Sequence, residues 1–360
     1  METNDGVLTP GQRIRPPGSE QIVLALLDKL YKLKAIKITE LNAYDDRNYH
    51  VICEDLHENP HMTTISKNGY VLKIVNSLDS RKCRVIDAQN EILIFLNQRH
   101  INCPLPVKNV KGEYYSLETL TVQGYENSYA VRLLVYLPGV MLNRMSITSE
   151  LLRNVGRFTS KLDTVLKGFS HSAYDNHKTL WMLTSVPDLR RFIYAVSNDY
   201  ERDLAHQVIH AFEEDVLRVM PKLEQGIIHG DLNEQNIVVN SNGTEVTAVI
   251  DFGDTHRTCL IFELAITLCY MMLQAGDLAM GKYVIEGYQD IRKLTNLEKK
   301  ILKVTVCARI CQSLVMGAYS YLNDPQNDYL LVTQKSGWVL LKNLWPISQE
   351  EVLQRWGLTD

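Results

Sequence analysis

Residues 227–236 read Ile227-Ile228-His229-Gly230-Asp231-Leu232-Asn233-Glu234-Gln235-Asn236, and residues 247–254 read Thr247-Ala248-Val249-Ile250-Asp251-Phe252-Gly253-Asp254. Between them lie Ile237-Val238-Val239-Asn240 and the turn-forming Asn242-Gly243. Two β-branched runs around an Asn-Gly turn predict a hairpin. Asp231 and Asn236 stand five apart in the loop entering the first strand, and Asp251 ends the returning one. A hairpin brings its two ends together, so Asn236 and Asp251 are expected to converge on one point. Hard oxygen donors of this kind, joined by phosphate oxygens, suit Mg²⁺. Asp231, outside that metal shell, is then free to orient a hydroxyl and take its proton. The alternative is that these residues only form turns. The sequon Asn242-Gly243-Thr244 falls in the same turn, where Asn-Gly is wanted for its backbone angles.

Upstream, Gln21–Leu33 has helical spacing. Short strand-like runs follow at Ala35–Leu41, Tyr49–Cys53 and Tyr70–Val75, then a helix at Arg84–Gln98 and strands at Tyr114–Thr121 and Ser128–Leu137. Beyond Pro138-Gly139 the texture turns helical, over 147–167, 187–223, 258–275, 280–292, 295–322 and 329–344, with the hairpin as a β island. This is an α+β pair of lobes. We place a loose tail at 1–19, an N-lobe at 20–137 and a C-lobe at 138–360.

The chain has 360 residues, 38 Lys+Arg against 42 Asp+Glu, 45% hydrophobic and 22% charged residues. A net charge of −4 gives no global footprint for nucleic acid or an anionic membrane surface. Seven cysteines without framework spacing point to a reducing, cytoplasmic setting. The most apolar run, 259–275, carries Glu263 and is short for a membrane span, so it reads as a buried helix. Gly276–Lys282 fits Gly-x4-Gly-Lys, but Tyr283 replaces the required Ser or Thr and no strand precedes it. It reads as an interhelical turn.

The ordered pair His-x-Asp-x-x-x-x-Asn and Asp-Phe-Gly resembles the catalytic and metal loops of kinases. No Ala-Pro-Glu follows, and the apolar helix begins within about ten residues of Asp251, too soon for a peptide platform. The acceptor is therefore expected to be small. The His-Gly-Asp form is similar to the aminoglycoside phosphotransferase and choline kinase superfamily. Within it, Ala43–Val51, Tyr70–Ile74, Val131–Gly139, His229–Asn236, Ile250–Asp254 and Cys311–Met316 resemble the hydroxylysine kinase family over nearly the whole chain beyond residue 19. That resemblance implies a two-lobed protein-kinase-like fold, with a small antiparallel-sheet N-lobe for nucleotide and a larger helical C-lobe for catalysis and acceptor. It implies transfer of the γ-phosphate of GTP, with Mg²⁺, to the 5-hydroxyl of free 5-hydroxylysine, a step of lysine degradation. Spacing and composition alone reach a small-molecule kinase, with choline, ethanolamine, homoserine or an aminoglycoside as rival acceptors. A nucleotide-binding regulator without catalysis is the rival of another class.

Lys73, in Val-Leu-Lys-Ile, matches the family's phosphate-binding lysine. The helix glutamate that usually holds it is replaced by Gln89, flanked by Asp87 and Glu91. No Gly-x-Gly-x-x-Gly precedes it; Asp45-Asp46 stands there instead, to face solvent, bind a substrate ammonium or cap the turn. Backbone groups of Val135 and Leu137 are candidates for the base edge. For the acceptor, Tyr44 and Trp181 are candidate walls, Asp254 a candidate for an amine (with Asp163 as a weaker choice) or else a metal ligand or a residue with no role in the site, and Arg309 a candidate for a carboxylate, whose shape its fork matches.

Overall fold

The computed structural model describes residues 14–122, 125–323, 325 and 333–359. They divide into two compact units between Pro138 and Gly139.

The N-terminal unit contains α1 (Glu20–Tyr31), β1 (Ala35–Leu41), β2 (Arg47–Cys53), β3 (Tyr70–Ile74), α2 (Cys83–Asn97), β4 (Pro106–Val107), β5 (Ser116–Val122) and β6 (Tyr125–Val135). The strands form one antiparallel sheet in the order β1-β2-β3-β6-β4, with β5 also on β6. Alternation along the strands sorts the side chains onto two faces. Tyr49, Val51, Leu72, Ile74, Val131 and Leu133 turn inward onto Val23, Leu26, Leu27, Leu30 and Tyr31 of α1. Ser19 starts that helix, its hydroxyl accepting from the Ile22 N–H at 3.2 Å. The register sets Lys73 opposite Asn48 on one side and Arg132 on the other, so these three share the face turned away from α1.

The tail expectation needs correction at its inner end. Ile14 is buried and its carbonyl accepts from Ser77 N–H at 3.0 Å. Arg47 Nε donates to the Pro16 carbonyl at 3.3 Å. Residues 1–13 lie outside the described part.

The C-terminal unit contains β7 (Val140–Met141), α3 (Ser149–Leu166), α4 (Asp199–Ala211), β8 (Gln225–Ile228), β9 (Ile237–Val239), β10 (Val246–Val249), β11 (His256–Cys259), α5 (Ile261–Ala275), α6 (Gly281–Gln289), α7 (Asn296–Asn323), α8 (Gln334–Leu344) and α9 (Gln349–Arg355). The single long helix expected over 187–223 is broken up. It consists of 3-10 turns at Leu183–Arg191 and Ile193–Ala195, then α4, then a π segment at Phe212–Leu217. Pro187 interrupts the pattern, and Asn198 restarts it by capping α4 through the Glu201 N–H.

α3 and α6 cross closely because two glycines face the partner backbone. A Cβ on Gly156 would lie 1.9 Å from the Val284 carbonyl oxygen, and one on Gly287 1.9 Å from that of Arg153. α5 is apolar on all sides and correspondingly buried. α7 is long and apolar enough to cross a membrane by length and composition, yet 83% of its apolar window is buried inside the protein. It is the core helix of this unit, and it carries Arg309 and Gln312 inward. Of the Gly276–Lys282 stretch, 276–280 joins α5 to α6, and Gly281 and Lys282 open α6.

Candidate active site

The hairpin predicted at the outset forms. β9 pairs with β10, Val238 opposite Ala248 and Ile237 opposite Val249. The ladder closes one step further with Ile250 N–H donating to the Asn236 carbonyl at 2.9 Å. Asn236 and Asp251 therefore sit at the same end of the hairpin, adjacent to its last rung. Asp251 adopts the left-handed conformation, φ 60°, which Asp tolerates better than most residues because its short polar side chain bonds locally. Here Oδ1 accepts from Gly253 N–H at 3.4 Å.

Asp231 is held by three side-chain donors. Asn233 Nδ2 and Asn236 Nδ2 reach its Oδ2 at 2.8 and 2.9 Å. Arg309 Nη2 reaches its Oδ1 at 2.8 Å. Asn236 Nδ2 also donates to the Asp231 carbonyl at 2.9 Å. Those bonds engage the amide nitrogen, so Oδ1 is the Asn236 side-chain atom they leave for another partner. Asn233 folds the loop as well, its Oδ1 accepting from the N–H groups of Gln235 and Asn236 at 2.8 and 3.0 Å.

Arg309 has a different task from the one its sequence suggested. It is 1% exposed, and its fork is closed on protein groups. Nη1 donates to the Trp181 carbonyl and to Gln312 Oε1, both at 3.0 Å, and Nη2 goes to Asp231. With Nη1 and Nη2 both bonded to protein groups and the side chain buried, the outer edge that would grip a substrate carboxylate is taken. Trp181 is half-buried, its ring 5.6 Å from the guanidinium.

The turn before Asp231 hangs on a buried carboxylate. Glu263, on α5, is fully buried. It accepts the His229 N–H and, at 3.1 Å, the Gly230 N–H. Burial pushes its carboxyl up to about 7, against the two N–H donors that favour the charged form. Gly230 has φ +84°, and a Cβ there would lie 2.4 Å from the Asp254 carbonyl oxygen, so the turn requires glycine. The His229 ring Nδ1 accepts from Asp231 N–H at 3.2 Å, which assigns the ring proton to Nε2, donating to the Ile250 carbonyl at 3.0 Å. One neutral imidazole thus spans the catalytic loop and the end of β10. Burial holds its pKa below the usual value.

His256 is also buried, its Nδ1–H donating to the Asp254 carbonyl at 2.6 Å. Burial pushes its pKa down to about 4. The unfolded chain takes up a proton as pH falls through about 6.5, whereas the folded protein does so only near that lowered value. The contribution is complete above pH 6.5 and is lost on acidification. Between pH 7 and pH 5, His256 is expected to remove up to about 2 kcal/mol of stability. Urea denaturation of wild type and His256→Asn at both pH values measures this. The variant should lose less on acidification; equal losses would contradict the assignment.

In the N-terminal unit, Lys73 is buried on β3. It makes an ion pair with Asp46 Oδ2 at 3.1 Å, a carboxylate that the sequence reading does not assign to it. Asp46 Oδ1 in turn accepts from Asn76 N–H and Nδ2 at 2.8 and 3.0 Å. The carboxylate is drawn inward because a buried ammonium needs a counter-charge and the turn between β1 and β2 delivers one. Val135 N–H is spent on the Leu105 carbonyl at 2.8 Å, so it is not a donor for a base edge. Tyr44 lies in the turn before β2, and Leu137 just beyond β6. Asp163 is fully buried and accepts the Tyr288 hydroxyl at 2.8 Å, so it packs the core instead of meeting an amine.

Asn233 and Gln312 were the residues sequence reasoning passed over as functional. Asn233 had a signal, an Asn two places after an Asp in a loop. Gln312 had none of its own. It donates to the Leu180 and Met182 carbonyls at 2.8 and 3.0 Å.

A polar loop that fixes one aspartate beside a hairpin-end Asn–Asp couple, within the C-terminal unit, belongs here to an alcohol phosphotransferase of protein-kinase-like fold. The family model described as phosphotransferase enzyme family matches residues 37–296, and the chain belongs to that family. A hydroxylysine kinase of Bos taurus is 35% identical over 356 residues, covering 95% of this chain and 93% of that protein. A hydroxylysine kinase of Xenopus laevis is 34% identical over 359 residues, covering 95% and 94%. The solved microcompartment-associated aminopropanol kinase superposes with a TM-score of 0.68 at 17% identity, over 95% of this chain and 99% of that one.

Proposed function

We propose that the protein transfers the γ-phosphoryl group of GTP to the 5-hydroxyl of free 5-hydroxylysine, giving 5-phosphohydroxylysine. One observation carries the chemistry: Asp231 is fixed by three donors, two residues from Asn233 and five from Asn236, whose strand returns at Asp251. The acceptor is supported by likeness to the hydroxylysine kinases along almost the whole chain.

In this reading the N-terminal unit binds nucleotide. Lys73 holds the donor phosphates, exchanging Asp46 for them, and the Val135 carbonyl and Leu137 N–H meet the base edge. In the C-terminal unit, Asp231 orients the acceptor hydroxyl and takes its proton. Asn236 Oδ1 and the Asp251 carboxylate hold Mg²⁺. Their donor set fits in kind, being two hard oxygen donors from residues beside the last rung of one hairpin, and it is incomplete without phosphate oxygens, as a nucleotide-borne ion requires. The described residues include no cluster of three or more His, Cys, Asp or Glu that could hold a metal alone. The ion supplies neutralisation of charge on the β- and γ-phosphates. Trp181 and Tyr44 are acceptor walls, and Asp254 meets an amine. Positioning and electrostatics carry the rate, with no covalent enzyme intermediate.

Initial rates with hydroxylysine, homoserine, choline, ethanolamine and an aminoglycoside, each with GTP and with ATP, test this. Hydroxylysine with GTP should give the highest kcat/KM. A better rate with another acceptor or with ATP would replace that part of the assignment. Nucleotide binding with no acceptor phosphorylated would favour a regulator.

A further inference from the structure

We propose that Arg309 is a positioning residue for phosphoryl transfer, setting the plane of the Asp231 carboxylate and, through Gln312, tying it to the 180–182 segment. The inference rests on the reading of Asp231 as the group that meets the acceptor hydroxyl.

A carboxylate has about four lone-pair sites. Arg309, Asn233 and Asn236 take three of them on Asp231, and the geometry reserves about one for the hydroxyl proton. The two asparagines belong to the loop itself and move with it. Arg309 alone, among these donors, comes from α7, so it registers the loop against the core of the unit. Its guanidinium lies over the Trp181 and Tyr270 rings, 5.6 and 5.4 Å from their centroids. Nε has no hydrogen-bond partner among the described residues. A buried cation left partly unsatisfied is a costly way to brace a helix, and the fork is aimed at two fixed targets, Asp231 and the Trp181 carbonyl. Gln312, one turn further along α7, accepts from Arg309 and grips the carbonyls on either side of Trp181. The arrangement makes the candidate acceptor wall and the proton acceptor one rigid piece. A lysine keeps the charge but cannot span both targets, because it lacks the planar fork.

The test compares Arg309→Met, Arg309→Lys, Gln312→Met, Asp231→Asn and the double variant Asp231→Asn/Arg309→Met, with thermal melting as a check on folding. Arg309→Met is expected to lower kcat about a hundredfold, the usual effect of a misplaced group, with acceptor KM nearly unchanged. Arg309→Lys should recover part of that loss, and Gln312→Met should lose about tenfold through the same contact. In the Asp231→Asn background, Arg309→Met should cost nothing more. A raised acceptor KM with kcat preserved would assign Arg309 to substrate binding and overturn the proposal. So would a full further loss in the double variant. If Arg309→Met does not fold, Arg309→Lys and Gln312→Met decide, and wild-type kcat in both overturns it. If Asp231→Asn itself keeps its rate, the reading of Asp231 falls and takes the proposal with it. If Asp231→Asn is inactive while the Arg309 variants are normal, the proposal alone falls.

Discussion

Asp231→Asn is expected to lower kcat by about a thousandfold, within the range for removal of a positioned general base, while nucleotide binding persists. The substitution removes the proton acceptor and leaves the backbone free to keep its turn. Gly230 still supplies the positive φ, and Glu263 still accepts the two N–H groups before it. The side chain is another matter. Asp231 offers two oxygens to three donors, whereas asparagine offers one oxygen and turns an N–H₂ toward the rest. Some loosening of Asn233 or Arg309 therefore accompanies the chemical loss. Isothermal titration with nucleotide separates the two effects. Unchanged nucleotide affinity with lost turnover fits the account; near-normal turnover refutes the role of Asp231.

Asp251→Ala carries the second large effect. Metal polarisation of a phosphoryl group is worth several kcal/mol, so losing one of two protein ligands should cost about a hundredfold or more in kcat. The Mg²⁺ concentration for half-maximal rate should rise as well. Asp231→Asn should leave that concentration where it is, because Asp231 stands outside the proposed shell. This contrast between two aspartates twenty residues apart is read from Mg²⁺ titrations of the initial rate. Identical metal dependence in wild type and Asp251→Ala would remove Asp251 from the metal site.

The heart of the site was legible because it is local. The Asn-Gly signal pointed to a hairpin, which closes through the longer 240–245 loop held by Asn240 Oδ1 accepting from the Thr244 and Glu245 N–H groups, and the hairpin fixes that Asn236 and Asp251 share its end. Glu263 announced itself as one charge inside an apolar helix, and its fully buried hold on the His229-Gly230 turn explains why it is there. The 78-residue reach from Asp231 to Arg309 was not legible. It depends on how α7 packs, and an arginine's periodic position says only that it faces inward. A carboxylate partner for a buried arginine can come from substrate or from protein, and spacing does not choose. Lys73 shows the same limit. Spacing pointed to a helix residue as its partner and gave no sign that the sheet register brings the β1–β2 turn, and with it Asp46, to the ammonium. The four-residue strands β8 and β11 were missed because each is too short to show alternation, and the residues of β11 run without a break signal into the apolar helix α5.

The most direct measurement is a crystal structure of the enzyme with Mg²⁺, a non-hydrolysable GTP analogue and hydroxylysine. The account predicts Asn236 Oδ1 and an Asp251 oxygen about 2.0–2.1 Å from the ion, and an Asp231 oxygen about 2.6–3.2 Å from the 5-hydroxyl. A metal–triphosphate bound away from that couple, or an acceptor hydroxyl out of reach of Asp231, would contradict it.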